Sequence, residues 1–176
     1  MGIAYKYFQI MADENNKLAP KLIHKTSISD KNIPKETSQI YVENAEAVHF
    51  SDFMDNPFLL VSDRFIKTVR LYNSDYISHA VVLTERAKQT QQVYWHIDLP
   101  NVDYFLDEDK PTSGNIASRK SAEFYKVDSA KVEGLSFFMF QWRPTTKATY
   151  IIRLDLAESL LRRDISGFSL KGLEHK

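Results

Sequence analysis

Cysteine is missing from this 176-residue chain, which excludes disulfide staples, thiolate nucleophiles and zinc–thiolate sites together and fits a reducing compartment. Neither sign of charge prevails. The 23 Lys and Arg balance 23 Asp and Glu, so no global field draws nucleic acid or anionic lipid, and electrostatic recognition must be local. No apolar run approaches the ~20 residues that span a bilayer. The opening Met1 to Phe8 lacks a basic region followed by a long apolar one, and Lys6 stands where the myristoylation pattern asks for Ser or Thr. A cytoplasmic protein is expected. A Gly-x-Ser-x-Gly nucleophile turn, a phosphate-binding loop, solenoid-period repeats and low-complexity tracts are also missing.

What is present suits an ordinary globule, with 43% hydrophobic and 26% charged residues. At this length roughly 70% of the unfolded surface can be buried without staples, so one domain over residues 1–176 is expected. Its first fifty residues read as a loop-rich arm with one strand, Tyr5 to Met11. Phe58 to Val61 is an apolar run, and Ser62 is placed to cap a helix with the stripe Phe65, Ile66, Val69 and Tyr72. Ile77 to Leu83 and Val93 to Leu99 read as a strand pair joined by the polar Thr84 to Gln92. Asp109 to Lys120 reads as a surface loop, and Phe124 to Val127 and Leu135 to Trp142 return to strand character.

The C-terminal stretch is the most structured in pattern. Tyr150, Ile151 and Ile152 suit a strand. Asp155 with Glu158 reads as an acidic capping box, and Arg162 and Arg163 suit the negative end of the helix dipole. Leu156, Leu160 and Leu161 form its apolar face, and Gly167 supplies the positive φ that ends it.

Three segments carry a resemblance. Leu154 to Leu170, Phe58 to Tyr72 and Tyr94 to Asp109 resemble, respectively, the C-terminal helix-turn-strand, the central strand-Val-Ser-helix and the aromatic-strand elements of the immunity protein 11-like family of bacterial polymorphic toxin systems. The resemblance covers about half of the chain. It implies an intracellular antidote that binds one toxin, and it brings no catalytic residues with it.

Candidates for chemistry are few. Asp98, Asp103, Asp107, Glu108 and Asp109 place five carboxylates within twelve residues without an intervening Lys or Arg. A calcium loop fails, because the central glycine and the closing bidentate Glu are out of place. Either this is a solvated acidic turn, or it is a face that docks on a basic partner. His24, His49, His79, His96 and His175 show no metal-ligand spacing. His96 and Asp98 would share a strand face, and Ser78 opposite them would make a hydrolase site conceivable. Arg119 and Lys120 are too few for a nucleic-acid footprint. In the run Phe137 to Trp142, alternation puts Phe138, Phe140 and Trp142 on one face: a buried strand, or else an exposed aromatic hot spot.

The expectation is an α+β fold, a mostly antiparallel curved sheet with two short helices packed on it. The function expected is a non-catalytic immunity protein whose partner is a cognate toxin domain, with Asp98, Asp103, Asp107, Glu108 and Asp109 as the docking residues. No catalytic residue, metal, cofactor, nucleic acid or membrane is expected. The rival readings are a small hydrolase around His96 and Asp98 and an aromatic-rich nucleic-acid-binding β module.

Overall fold

Ser62 turns a strand into a helix: its Oγ accepts from the Phe65 N–H at 3.3 Å, satisfying one of the free donors of the first turn. The strand is β5 (Leu60–Ser62) and the helix α1 (Asp63–Arg70), which buries Phe65, Ile66 and Val69, as the stripe predicts. The structure, a computed structural model, describes residues 6–13, 20–23, 37–43, 49–86, 88–106, 126–141 and 147–176.

The second strand-to-helix unit joins β9 (Thr149–Arg153) to α2 (Leu154–Arg162). Its start differs from expectation. Arg153 is the cap residue without a side-chain cap bond, because the strand's pairing runs on through Arg153 and the Leu154 N–H donates to the Lys6 carbonyl. Asp155 therefore lies inside the first turn, accepting from Arg153 Nε at 2.9 Å and Nη2 at 2.7 Å, while Glu158 pairs with Arg162. Leu156, Ala157 and Leu160 face the core, but Leu161 is 56% exposed, one position round the helix from Leu160. The helix ends at Arg163 and at Asp164, which has φ +52°. Gly167 does a different job from the one expected: with φ +87° it opens β10 (Phe168–Leu173), and a Cβ there would lie 2.4 Å from Ser51 Cβ.

The strands build two sheets where the sequence suggested one. An antiparallel four-stranded sheet has the order β10-β1-β9-β8, with β1 (Tyr7–Ala12) and β8 (Phe137–Phe140). A six-stranded sheet runs β2-β3-β6-β7-β5-β4, with β2 (Leu22–Ile23), β3 (Ser38–Val42), β4 (Phe53–Met54), β6 (Ser78–Glu85) and β7 (Thr90–Ile97). The α+β class holds. The described part of the first fifty residues contributes three strands rather than one, and β3 lies parallel to β6. The hairpin β6–β7 continues through Thr84, Glu85 and Thr90 to Gln92, since backbone pairing there needs no apolar side chain. Of Phe124 to Val127, Lys126 and Val127 are described, and Val127 makes single bridges to Phe105 and His175. The expected loop Asp109 to Lys120 lies outside the described residues.

One apolar cluster draws on both sheets and both helices: Ile10, Phe137, Tyr150 and Ile152 meet Phe53, Val61, Phe65, Val69 and Ile97, with Leu156 and Leu160. Tyr7, Tyr104, Phe105, Phe138 and Ile151 form a second cluster on the other face of the smaller sheet. A third, with Met54, Phe58, Leu60, Val81, Leu83 and Tyr94, covers the other face of the larger one.

Candidate functional site

Alternation along the β6–β7 hairpin decides which side chains can meet. His79 is opposite His96 in register, while Ser78 is opposite Ile97 and so points to the other face. The Ser78 hydroxyl accepts from Arg70 at 2.7 Å, so the Ser78–His96–Asp98 arrangement that the sequence made conceivable is not assembled. What assembles is a carboxylate between two imidazoles. Asp98, just past the end of β7, is positioned by its N–H donating to the Ile77 carbonyl at 3.0 Å. One of its oxygens is 3.1 Å from His79 Nε2 and the other 3.6 Å from His96 Nε2.

The two imidazoles sit in different surroundings. The His96 side chain is 8% exposed, its Nδ1 donates to the Leu59 carbonyl at 2.8 Å, and the Phe58 ring stands edge-on at 5.5 Å. That hydrogen bond puts the neutral ring's proton on Nδ1 and leaves a lone pair on Nε2. Burial holds the His96 pKa below the ordinary imidazole value. The Leu59 hydrogen bond and the Asp98 charge pull the other way, and His79 adds to the lowering. Nε2 is thus the atom that would take a proton, facing the carboxylate, at the cost of charging a buried ring. Among the described residues, no three His, Asp or Glu side chains converge to hold a metal ion.

The acidic segment is partly described. Asp98 is half-exposed, and its oxygens face two imidazoles, which offset its charge only when they are protonated. Asp103 is exposed on the stretch that follows, where Asn101 bridges to Met139 and fastens the chain along the outer edge of β8. Asp107, Glu108 and Asp109 lie outside the described residues, as do Arg119, Lys120, His24 and Trp142. His49 and His175 are exposed and belong to neither cluster. Phe137 and Phe138 are fully buried and Phe140 packs against the second core cluster, so the described part of the aromatic run is core. That removes these rings as a stacking platform for bases.

Sequence reasoning singled out His96 and Asp98 but left His79 among the scattered histidines. The missing signal was hairpin register: once Glu85 is paired with Thr90, His79 falls opposite His96. The chain matches no protein-family model and no curated protein. No helix among the described residues is long and apolar enough to cross a membrane.

Proposed function

We propose that the protein is an immunity protein, which binds one bacterial toxin in the cytoplasm and neutralises it by occlusion without chemistry of its own. The observation that carries this reading is where the three resembling segments lie. Phe58 to Tyr72 holds β5 and α1, Tyr94 to Asp109 begins in β7, and Leu154 to Leu170 holds α2 and the start of β10. β5 pairs with β7 through Val61 and Trp95. α1 meets the α2 unit where Arg64 donates to the Asp164 carbonyl at 2.6 Å and Tyr72 to the Asp155 carbonyl at 3.0 Å. Segments far apart in sequence thus make one block, as elements of a shared family core would.

Docking is assigned to the acidic stretch, of which Asp98 and Asp103 are the described part. The toxin is to be sought in the product of the adjacent reading frame. Co-expression should restore growth to cells making that toxin, and the purified pair should associate. Asp98→Lys with Asp103→Lys should slow association several-fold at low salt, an effect that fades as the screening length shortens to ~8 Å near physiological strength. Unrestored growth sinks the immunity reading. Restored growth with an association rate indifferent to both charge and salt removes only the acidic face.

A second reading has one observation in its favour, the Nδ1–H of His96 held by the Leu59 carbonyl, which leaves Nε2 with the lone pair that a general base uses. Broad hydrolase screening tests it: an activity abolished by His96→Ala would replace the binding-only reading.

A further inference from the structure

We propose that His96 is the pin of an acid-operated latch: neutral, it fastens the turn before β5 to the hairpin, and on protonation it swings to water and releases the Phe58–Leu60 stretch. This goes beyond the immunity reading and does not depend on it.

The fastening is local and identifiable. β5 joins β7 in register only at Val61 and Ser62. Phe58 and Leu59 precede that ladder, and across to β7 they are held by the Nδ1–H bond to the Leu59 carbonyl and by the Phe58 ring against the imidazole. Both residues are buried, Phe58 with Leu60 and Met54 in the third core cluster and Leu59 in the first. Letting go of His96 therefore exposes apolar surface.

Few charges among the described residues reach the ring. Asp98 approaches Nε2 from the end of β7 at 3.6 Å, and His79 lies opposite on β6. From the turn before β5 comes only the Leu59 carbonyl. Asp55, that turn's carboxylate, accepts from the Ala12 N–H and pairs with Lys147 at 3.2 Å. Met54 of β4 and Leu60 of β5 are apolar, and Glu85 lies at the far end of the hairpin.

A protonated ring in place would keep the Nδ1–H bond to Leu59 and face Asp98, but it would carry its charge at 8% exposure, and that burial outweighs both contacts. Asp98 is the one neighbouring anion, its side chain is 48% exposed and so screened by water, and His79 competes for it at 3.1 Å. A ring turned out to solvent binds the proton more tightly than the buried one, in keeping with the lowered pKa. Acid therefore favours the released state, by up to about tenfold in population per pH unit.

Amide hydrogen exchange and the His96 imidazole signal, followed together by NMR from about pH 7.5 to pH 5, test this in the protein alone. Protection of the Leu59 and Leu60 amides, corrected for intrinsic rates, should fall with the midpoint at which His96 titrates. His96→Gln, which retains an N–H donor for the Leu59 carbonyl and cannot take the proton, should abolish the pH dependence. If protection is indifferent to pH, or its loss survives unchanged in His96→Gln, the latch is overturned. Should that variant not fold, Asp98→Asn decides: removing the one anion must move the exchange and imidazole midpoints to lower pH together, and midpoints that separate overturn the proposal.

Discussion

Single residues carry much of this structure's specificity. Gly167 occupies the left-handed region, and the backbone there passes so near Ser51 that any Cβ collides. Gly167→Ala should cost about 2–4 kcal/mol, combining left-handed strain with overpacking, and urea unfolding measures it. Tyr94 is bound as closely: its hydroxyl donates to the Ser51 carbonyl at 2.6 Å, and burial, with Asp52 adding, raises its pKa. Tyr94→Phe should cost about 1–3 kcal/mol by leaving that carbonyl without its donor. His96 makes stability depend on pH. Its folded pKa lies below the ordinary 6.5, so the unfolded chain binds the proton first. This contribution is complete above about pH 6.5 and is lost as pH falls through the folded value. The urea midpoint of the native chain should decline over that window, and that of His96→Gln should decline less; equal declines would assign the effect to other groups.

At the scale of elements, α2 offers the sharpest comparison. Leu160→Ala should cost about 2–5 kcal/mol through lost transfer energy and a cavity, whereas Leu161→Ala, at a wet position, should stay within about 0.5 kcal/mol. Partner binding impaired by Leu161→Ala with stability unchanged would put this helix at the interface instead. The same helix shows why legibility was uneven. Helix α1 could be read because its cap and apolar stripe are set within eleven consecutive residues. The start of α2 was misread because β1 pairs with β9 as far as Arg153, a tertiary constraint that moves the first turn away from the acidic cap. Leu161 was misplaced for a related reason, since Ala157 shares the buried face with Leu156 and Leu160 and small residues weigh little in an apolar count. The histidine pair was illegible because it depends on a register that polar strand ends conceal. The second sheet was hidden likewise: β2 and β3 are short, and β3 pairs in parallel with β6, far along the chain.

Over the whole molecule, one side chain ties the parts together. Asp52 accepts from the Ser62 hydroxyl at 2.6 Å, from the Ser166 N–H at 3.0 Å and from Arg64 at 3.3 Å. It thereby links the larger sheet, the start of α1 and the approach to β10. Asp52→Ala should cost about 1.5–3 kcal/mol, since charge-assisted hydrogen bonds are lost from a largely covered site. A cost below about 0.5 kcal/mol would mean that water replaces the carboxylate there.

β1 has a consequence in time as well as in space. It lies inside its sheet, with β10 on one side and β9 on the other, so β1 leaves a ribosome long before either of its partners. Tyr7 faces Leu173 and Arg153, and its ring enters a cluster completed by Phe138, Ile151 and Leu173. During synthesis at about 5–20 residues per second, the nascent β1 must wait roughly 7–30 seconds with its apolar face unpaired. A sheet closed by such distant pairings also folds slowly once complete, because loop closure precedes every favourable contact. Chains stalled before Phe168 should therefore remain protease-sensitive at β1 and draw chaperones, becoming resistant once Leu173 has emerged.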